Sequence, residues 1–148
     1  MNSTPWLAAL LTAGMLSACM TPATNPQVVN IRLNATGHNV GQIAQASLAA
    51  QGEATSLSFF IGGVPQWVIR PVRLYTFIYP GRCGHLGPSP AYAMNQTLVT
   101  HAVAQRRGWT LAKLVPVALS ELRAGGYALV VRTTPADGGV DIFCGDIH

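Results

Sequence analysis

Histidines and cysteines are residues of this chain that could bind a metal or form covalent bonds. The four histidines are His38, His85, His101 and His148. Imidazole is a common protein ligand for copper and zinc, but such a site needs several imidazoles that converge. No two of these histidines stand at a His-x-His or His-x3-His spacing, so scattered surface histidines are the simpler interpretation. A weak metal site formed by His85 and His101 within one long loop is the alternative.

Acid–base catalysis has few candidates, because the chain contains only five acidic residues. No Ser-His-Asp order, catalytic carboxylate pair, phosphate-binding loop or nucleotide-binding motif is present. The net charge of +4 comes from eight arginines and one lysine, with no block of five or six basic residues. The composition therefore predicts no enzyme, no cofactor and no nucleic-acid partner.

The N-terminal segment has the features of an export signal. Residues 7–16 form an unbroken, mildly apolar stretch, and Ser17, Ala18 and Cys19 follow at once. The stretch is too short to span a membrane, which takes about 20 apolar residues. Leu16-Ser17-Ala18-Cys19 resembles the bacterial lipobox, which implies that the thiol of Cys19 carries a lipid. The alternative is a signal cut elsewhere, with Cys19 left as an ordinary thiol.

These features predict three segments along the chain. Residues 1–18 are the lipoprotein signal peptide, residues 19–27 a lipidated tether of up to about 25 Å, and residues 28–148 a single β domain. Met20, rather than Asp, follows Cys19. The resemblance to lipoproteins then implies an outer-membrane anchor facing the periplasm, with the membrane as the partner of the lipid.

Short runs rich in valine, isoleucine, leucine and aromatic residues predict the strands of this domain. The runs cover residues 28–33, 41–48, 55–61, 72–79, 127–133 and 140–144. Turn-forming residues separate them, and residues 119–123 before Gly125 predict one helical turn. The long irregular stretch is residues 84–108. Several short strands with frequent turns are typical of an all-β sandwich or barrel.

Two stretches carry a resemblance to a known family. Residues 72–83 are Val-Arg-Leu-Tyr-Thr-Phe-Ile-Tyr-Pro-Gly-Arg-Cys, and residues 127–147 contain Val-Val-Arg and end in Phe-Cys-Gly-Asp-Ile. They resemble the copper/zinc superoxide dismutase family, which has a His-x-His copper strand followed by Gly and Cys, then Val-Val-His and Ala-Cys-Gly-Val-Ile. The resemblance implies a Greek-key β-sandwich or barrel. It also implies a disulfide between Cys83 and Cys144.

The family's copper ligands are missing from the matching positions. Arg73 and Tyr75 occupy the His-x-His positions, and Arg132 occupies that of a third copper histidine. A guanidinium is effectively always protonated and has no lone pair for a metal. Asp141 stands where the family has an arginine that attracts superoxide, and a carboxylate would repel that anion. We therefore expect no tight copper binding and no dismutase activity.

Arg73, Tyr75 and Arg132 form a second candidate site. Strand alternation places all three on the outer face of the sheet. Two guanidiniums beside a tyrosine can hold a carboxylate or a phosphate. The alternative is that each arginine pairs with an acid such as Glu121 or Asp137, or lies in solvent.

Three aromatic residues, Tyr75, Phe77 and Tyr79, share that strand face. We expect the loop 84–108 to fold over them and close a small satellite core with Pro88, Tyr92 and Trp109. The alternative is an exposed aromatic platform for a ligand or partner.

The function predicted is that of a non-catalytic envelope lipoprotein, structural or ligand-binding, whose partner is a protein or a small anion. The alternative is a divergent copper/zinc superoxide dismutase or a periplasmic copper-binding protein. Fold-level resemblance does not by itself supply a reaction.

Overall fold

The computed structural model describes residues 27–98, 100–103 and 107–148. The predicted signal peptide, Cys19 and the tether up to residue 26 lie outside the described residues. Across the part that is described, no helix is both long enough and apolar enough to cross a membrane.

The described residues form ten strands and one short helix, as the sequence predicts for an all-β domain. In chain order the elements are β1 Val28–Ala35, β2 Ala44–Gln51, β3 Ala54–Ile61, β4 Leu74–Arg82, β5 His85–Leu86, β6 Tyr92–Ala93, β7 His101–Val103, β8 Gly108–Val115, α1 Leu119–Ala124, β9 Tyr127–Thr133 and β10 Asp141–Ile147. A 3-10 turn covers Pro135–Asp137. All six predicted strands are present with shifted ends, and the predicted helical turn is α1.

The strands pair in the order β5-β4-β9-β10-β1-β2-β3-β8-β7, with β6 also paired to β4. Every pairing is antiparallel. Strand β1 belongs to both halves of this order, because residues 28–33 pair with β2 while Asn34 and Ala35 pair with β10. Inward residues of both halves belong to one core cluster. The strands therefore fold over a shared core in a sandwich-like arrangement.

Period-two alternation explains why these strands form. In β2, Ala44, Ala46 and Leu48 are buried, and the residues between them are more exposed. Strand β9 is different, since its residues 128–131 are all buried. Its outer face is covered as well, which makes it a central strand with apolar residues on both sides.

Strand β8 was not predicted from the sequence. Its inward positions are Leu111, Lys113 and Val115, while Leu114 is 59% exposed. A lysine pointing inward beside a leucine pointing outward reverses the usual pattern of a half-buried strand. The predicted loop 84–108 also contains three short strands, β5, β6 and β7.

The expected disulfide between Cys83 and Cys144 is confirmed. The two Cα atoms lie 5.8 Å apart and the two sulfurs 2.02 Å apart. The Cys83 N–H also donates a hydrogen bond of 2.7 Å to Oδ1 of Asp146. Two links therefore hold the turn after β4 against strand β10.

Candidate functional site

The aromatic row on the outer face of β4 packs as a satellite core. Ring centroids of Tyr75 and Phe77 lie 6.1 Å apart, and those of Phe77 and Tyr79 lie 6.0 Å apart. Phe77 and Tyr79 are 9% and 7% exposed, and both contact the buried Val130. The expected satellite core is therefore present, and the exposed platform is not.

The residues that close this satellite core differ from those predicted. Leu86 of β5 and Cys144 pack against it. Tyr92 and Trp109, which were expected there, pack instead against the main core. Tyr92 is opposite the buried Ile78 of β4, which puts its side chain on the core side of that sheet, and Trp109 lies on β8 in the other half of the strand order.

Arg132 lies over the same aromatic row and is bound by an acid. Strand register aligns Tyr75, Arg132 and Asp141 across β4, β9 and β10. The Arg132 Nε donates to Oδ1 of Asp141 at 2.6 Å, and an Nη donates to the Tyr79 hydroxyl at 3.2 Å. The guanidinium carbon lies 4.9 Å from the ring centroid of Phe77. The arginine therefore has a partner, but the partner is Asp141 rather than the expected Glu121 or Asp137.

These contacts determine what Arg132 can do. Its hydrogen bond to Asp141 raises the pKa of the guanidinium further above its ordinary value, so the side chain stays charged. The carboxylate of Asp141 balances its positive charge, and the Nε edge of the guanidinium already donates a hydrogen bond to that carboxylate. Arg132 is consequently a poor candidate for capturing a second anion, and the predicted pair Arg73 and Arg132 is not the site that the structure favours.

A cavity of about 360 Å³ beside Arg73 is the better candidate. Among its lining residues are Arg70, Arg73 and Tyr75, with Leu98 and the turn at residues 134–137. Both arginines are exposed at its rim, and Tyr75 is half-buried. The guanidinium of Arg70 also lies 5.2 Å from the ring centroid of Trp109. The lining of the cavity thus includes two cations and a phenol.

One carboxylate, that of Asp137, also lines this cavity. Asp137 is 7% exposed, and both of its carboxylate oxygens accept hydrogen bonds. Oδ1 accepts the Ile69 N–H at 2.9 Å, and Oδ2 accepts the Thr134 hydroxyl at 2.9 Å. In the described part of the chain, Arg132–Asp141 is the single ion pair. Two arginines therefore line the cavity, and neither is in an ion pair among the described residues.

The sequence did not single out Arg70. The available signal was its spacing, because Arg70 and Arg73 flank Pro71 and Val72 immediately before β4. Val72 is buried and Pro71 is exposed, which anchors this segment while leaving both arginines at the surface. Alternation within β4 alone could not include Arg70, because it precedes the strand.

No family model, curated protein or solved structure matches this chain. The resemblance to copper/zinc superoxide dismutases and the lipoprotein signal therefore stay predictions. The chemistry available at the site is set by its own residues and their geometry.

The residues at the dismutase copper positions do not fit a copper ion. Arg73 and Arg132 bring permanent positive charge, and the Arg132 guanidinium is bonded to Asp141. Across the described ranges, no group of three or more His, Cys, Asp or Glu side chains converges. His85 on β5 and His101 on β7 lie at opposite ends of the strand order. We derive no redox step from these residues.

Proposed function

We propose that this chain is a non-catalytic, lipid-anchored envelope protein whose β domain binds a small carboxylate or phosphate between Arg70, Arg73 and Tyr75. The observation that carries the binding role is the pair of arginines that line one cavity, while the oxygens of the nearby Asp137 carboxylate are bonded to Ile69 and Thr134. Arginine forks match the geometry of both anions and stay charged at any physiological pH.

Export supports the envelope location. The apolar stretch at residues 7–16 is followed directly by the lipobox-like Leu16-Ser17-Ala18-Cys19. The Cys83–Cys144 disulfide is the kind of bond that persists in oxidising compartments such as the periplasm. Two acyl chains or more on Cys19 would hold the protein stably on a membrane.

The strand order supports a Greek-key topology. Strands β3 and β4 are consecutive among the long strands, yet they lie in different halves of the strand order, as do β8 and β9. Two such crossovers, together with a disulfide onto the last strand, agree with the dismutase-like arrangement. The alternative, a divergent dismutase or copper-binding protein, has no assembled ligand set in its favour among the described residues.

Calorimetric titration of the exported protein with phosphate, acetate and citrate tests the binding role. We expect saturable binding of at least one anion, weakened by salt because the contact is between exposed charges. Arg73→Gln should weaken it about tenfold or more, since hydrogen bonds to charged groups contribute roughly 1.5–3 kcal/mol.

Arg82→Gln is the matched control. Arg82 is exposed at the end of β4, the strand that Arg73 directly precedes, and it carries the same charge but does not line the cavity. Equal losses in Arg73→Gln and Arg82→Gln would reduce the effect to net charge and contradict the proposed site. Absence of saturable binding by all three anions would contradict it as well.

A further inference from the structure

The only lysine of the chain points into the protein. Lys113 is 8% exposed and lies between the buried Leu111 and Val115 on the inner face of β8. Its register partner in β3 is Leu57, which is 1% exposed. Lysine is among the residues that are least often buried without a charged partner. Its inward placement therefore calls for a physical explanation.

Lys113 lines a cavity of about 820 Å³ at the edge of the fold, where β8 faces the segment around β6. The lining residues on that segment include Tyr92, Met94 and Thr97. The Nζ of Lys113 donates a hydrogen bond to the carbonyl oxygen of Thr97. The volume lies in the range of pockets that hold small organic molecules.

No carboxylate is present among the described residues that line this cavity, and Tyr92 is the only titratable group there besides Lys113. Burial lowers the pKa of Lys113, so more of the amine is neutral near pH 7 than in an exposed lysine. Burial, together with the charge interactions of Tyr127 and Glu121, raises the pKa of Tyr92. The cavity therefore contains a buried amine whose pKa is lowered, together with one phenol.

We propose that this cavity takes a small uncharged aldehyde or ketone and that the Nζ of Lys113 forms an imine with its carbonyl carbon. The nitrogen lone pair forms the C–N bond, and the C=O π pair moves to oxygen, which takes up a proton. The nitrogen loses its extra proton, and water then leaves to give the imine. The sequence is reversible and needs no oxidant or reductant.

This site shares no residue with the anion cavity, so either proposal can fail without the other. A purely structural role for Lys113 is the competing explanation: the ammonium would tie Thr97 to β8 and would be shielded from solvent. The two roles differ in the reactivity of the amine, because a lysine that is shielded from solvent and serves only structure reacts more slowly than an exposed lysine.

The test places both kinds of lysine in one molecule. Arg123 is exposed in the last turn of α1, so Arg123→Lys adds an ordinary surface amine with little disturbance of the core. The full exported chain is treated with benzaldehyde and cyanoborohydride at pH 7, and peptide mass spectrometry separates the two lysines from the N-terminus.

We expect modification at Lys113 to exceed that at the introduced lysine severalfold at pH 7, because burial leaves more of its amine neutral and the cavity holds the aldehyde beside it. A ratio of one or less at pH 7 would overturn the proposal. Lys113→Met should abolish modification at that peptide and leave the introduced lysine reactive.

Discussion

At the residue scale, Arg132 and Asp141 explain each other. They stand where the resemblance expected a copper histidine and an anion-attracting arginine, and the two side chains bond at 2.6 Å. Each was unexplained when considered alone in the sequence. Together they form an ion pair that lies over the aromatic row.

A β-bulge is what brings this pair together. The register of β9 and β10 shifts between Asp141 and Phe143, which leaves Ile142 as the extra residue. Phe143 is opposite Val131. If the register continued without a bulge, the next residue, Ile142, would be opposite Arg132 instead of Asp141. Bulges of one residue leave little trace in a sequence. The outward direction of Arg132 could therefore be predicted, but its partner could not.

A double-mutant cycle measures how much the pair stabilises the domain. Side chains of Arg132 and Asp141 are 27% and 31% exposed, so their coupling should be about 1 kcal/mol or less. Arg132→Met should cost more than Asp141→Asn, roughly 1–2 kcal/mol, because it also removes the cation–π contact with Phe77. Urea unfolding of the four proteins gives the coupling energy. Additive effects would show that the contact contributes nothing to stability.

At the element scale, strand existence was easier to predict than strand partners. Alternation and turn residues indicated six strands, whereas β8 was hidden by Lys113 at an inward position. The change of partner along β1 was equally hidden. Up to Leu33 the strand pairs with β2, and from Asn34 it pairs with β10. Local propensity contains no information on such a change, which depends on how the two layers meet.

Gly145 makes this junction possible. A Cβ at this position would lie 2.7 Å from the carbonyl oxygen of Arg32 and 2.7 Å from Cδ2 of Leu33. Gly145→Ala should therefore lower the free energy of unfolding by roughly 1–3 kcal/mol through overpacking, although alanine suits a strand better than glycine. Gly37→Ala is the control, since nothing lies within 4 Å of the added carbon. Chemical denaturation that gives the same midpoint for both variants would argue against a close approach at β1.

At the scale of the whole molecule, the three cysteines divide between the β domain and its proposed attachment to the membrane. The disulfide was expected on two grounds: a lipid on Cys19 leaves two cysteines in an exported chain, and the family resemblance matches both to bridging positions. Its presence between Cys83 and Cys144 leaves Cys19 as the remaining cysteine. That assignment agrees with a separate role for Cys19, ahead of the β domain that begins at Val28.

The lipid anchor is the last prediction, and it concerns the location of the entire protein. Cys19→Ala should abolish incorporation of a fatty-acid probe and release the protein from the membrane fraction, because it removes the thiol that carries the proposed lipid. The control is the double variant Cys83→Ser/Cys144→Ser, which removes the other two cysteines and should keep both the probe and the membrane association. Labelling that persists in Cys19→Ala would contradict acylation at this thiol. Labelling lost equally in the control would instead trace the effect to misfolding, since removal of a disulfide can cost several kcal/mol of stability.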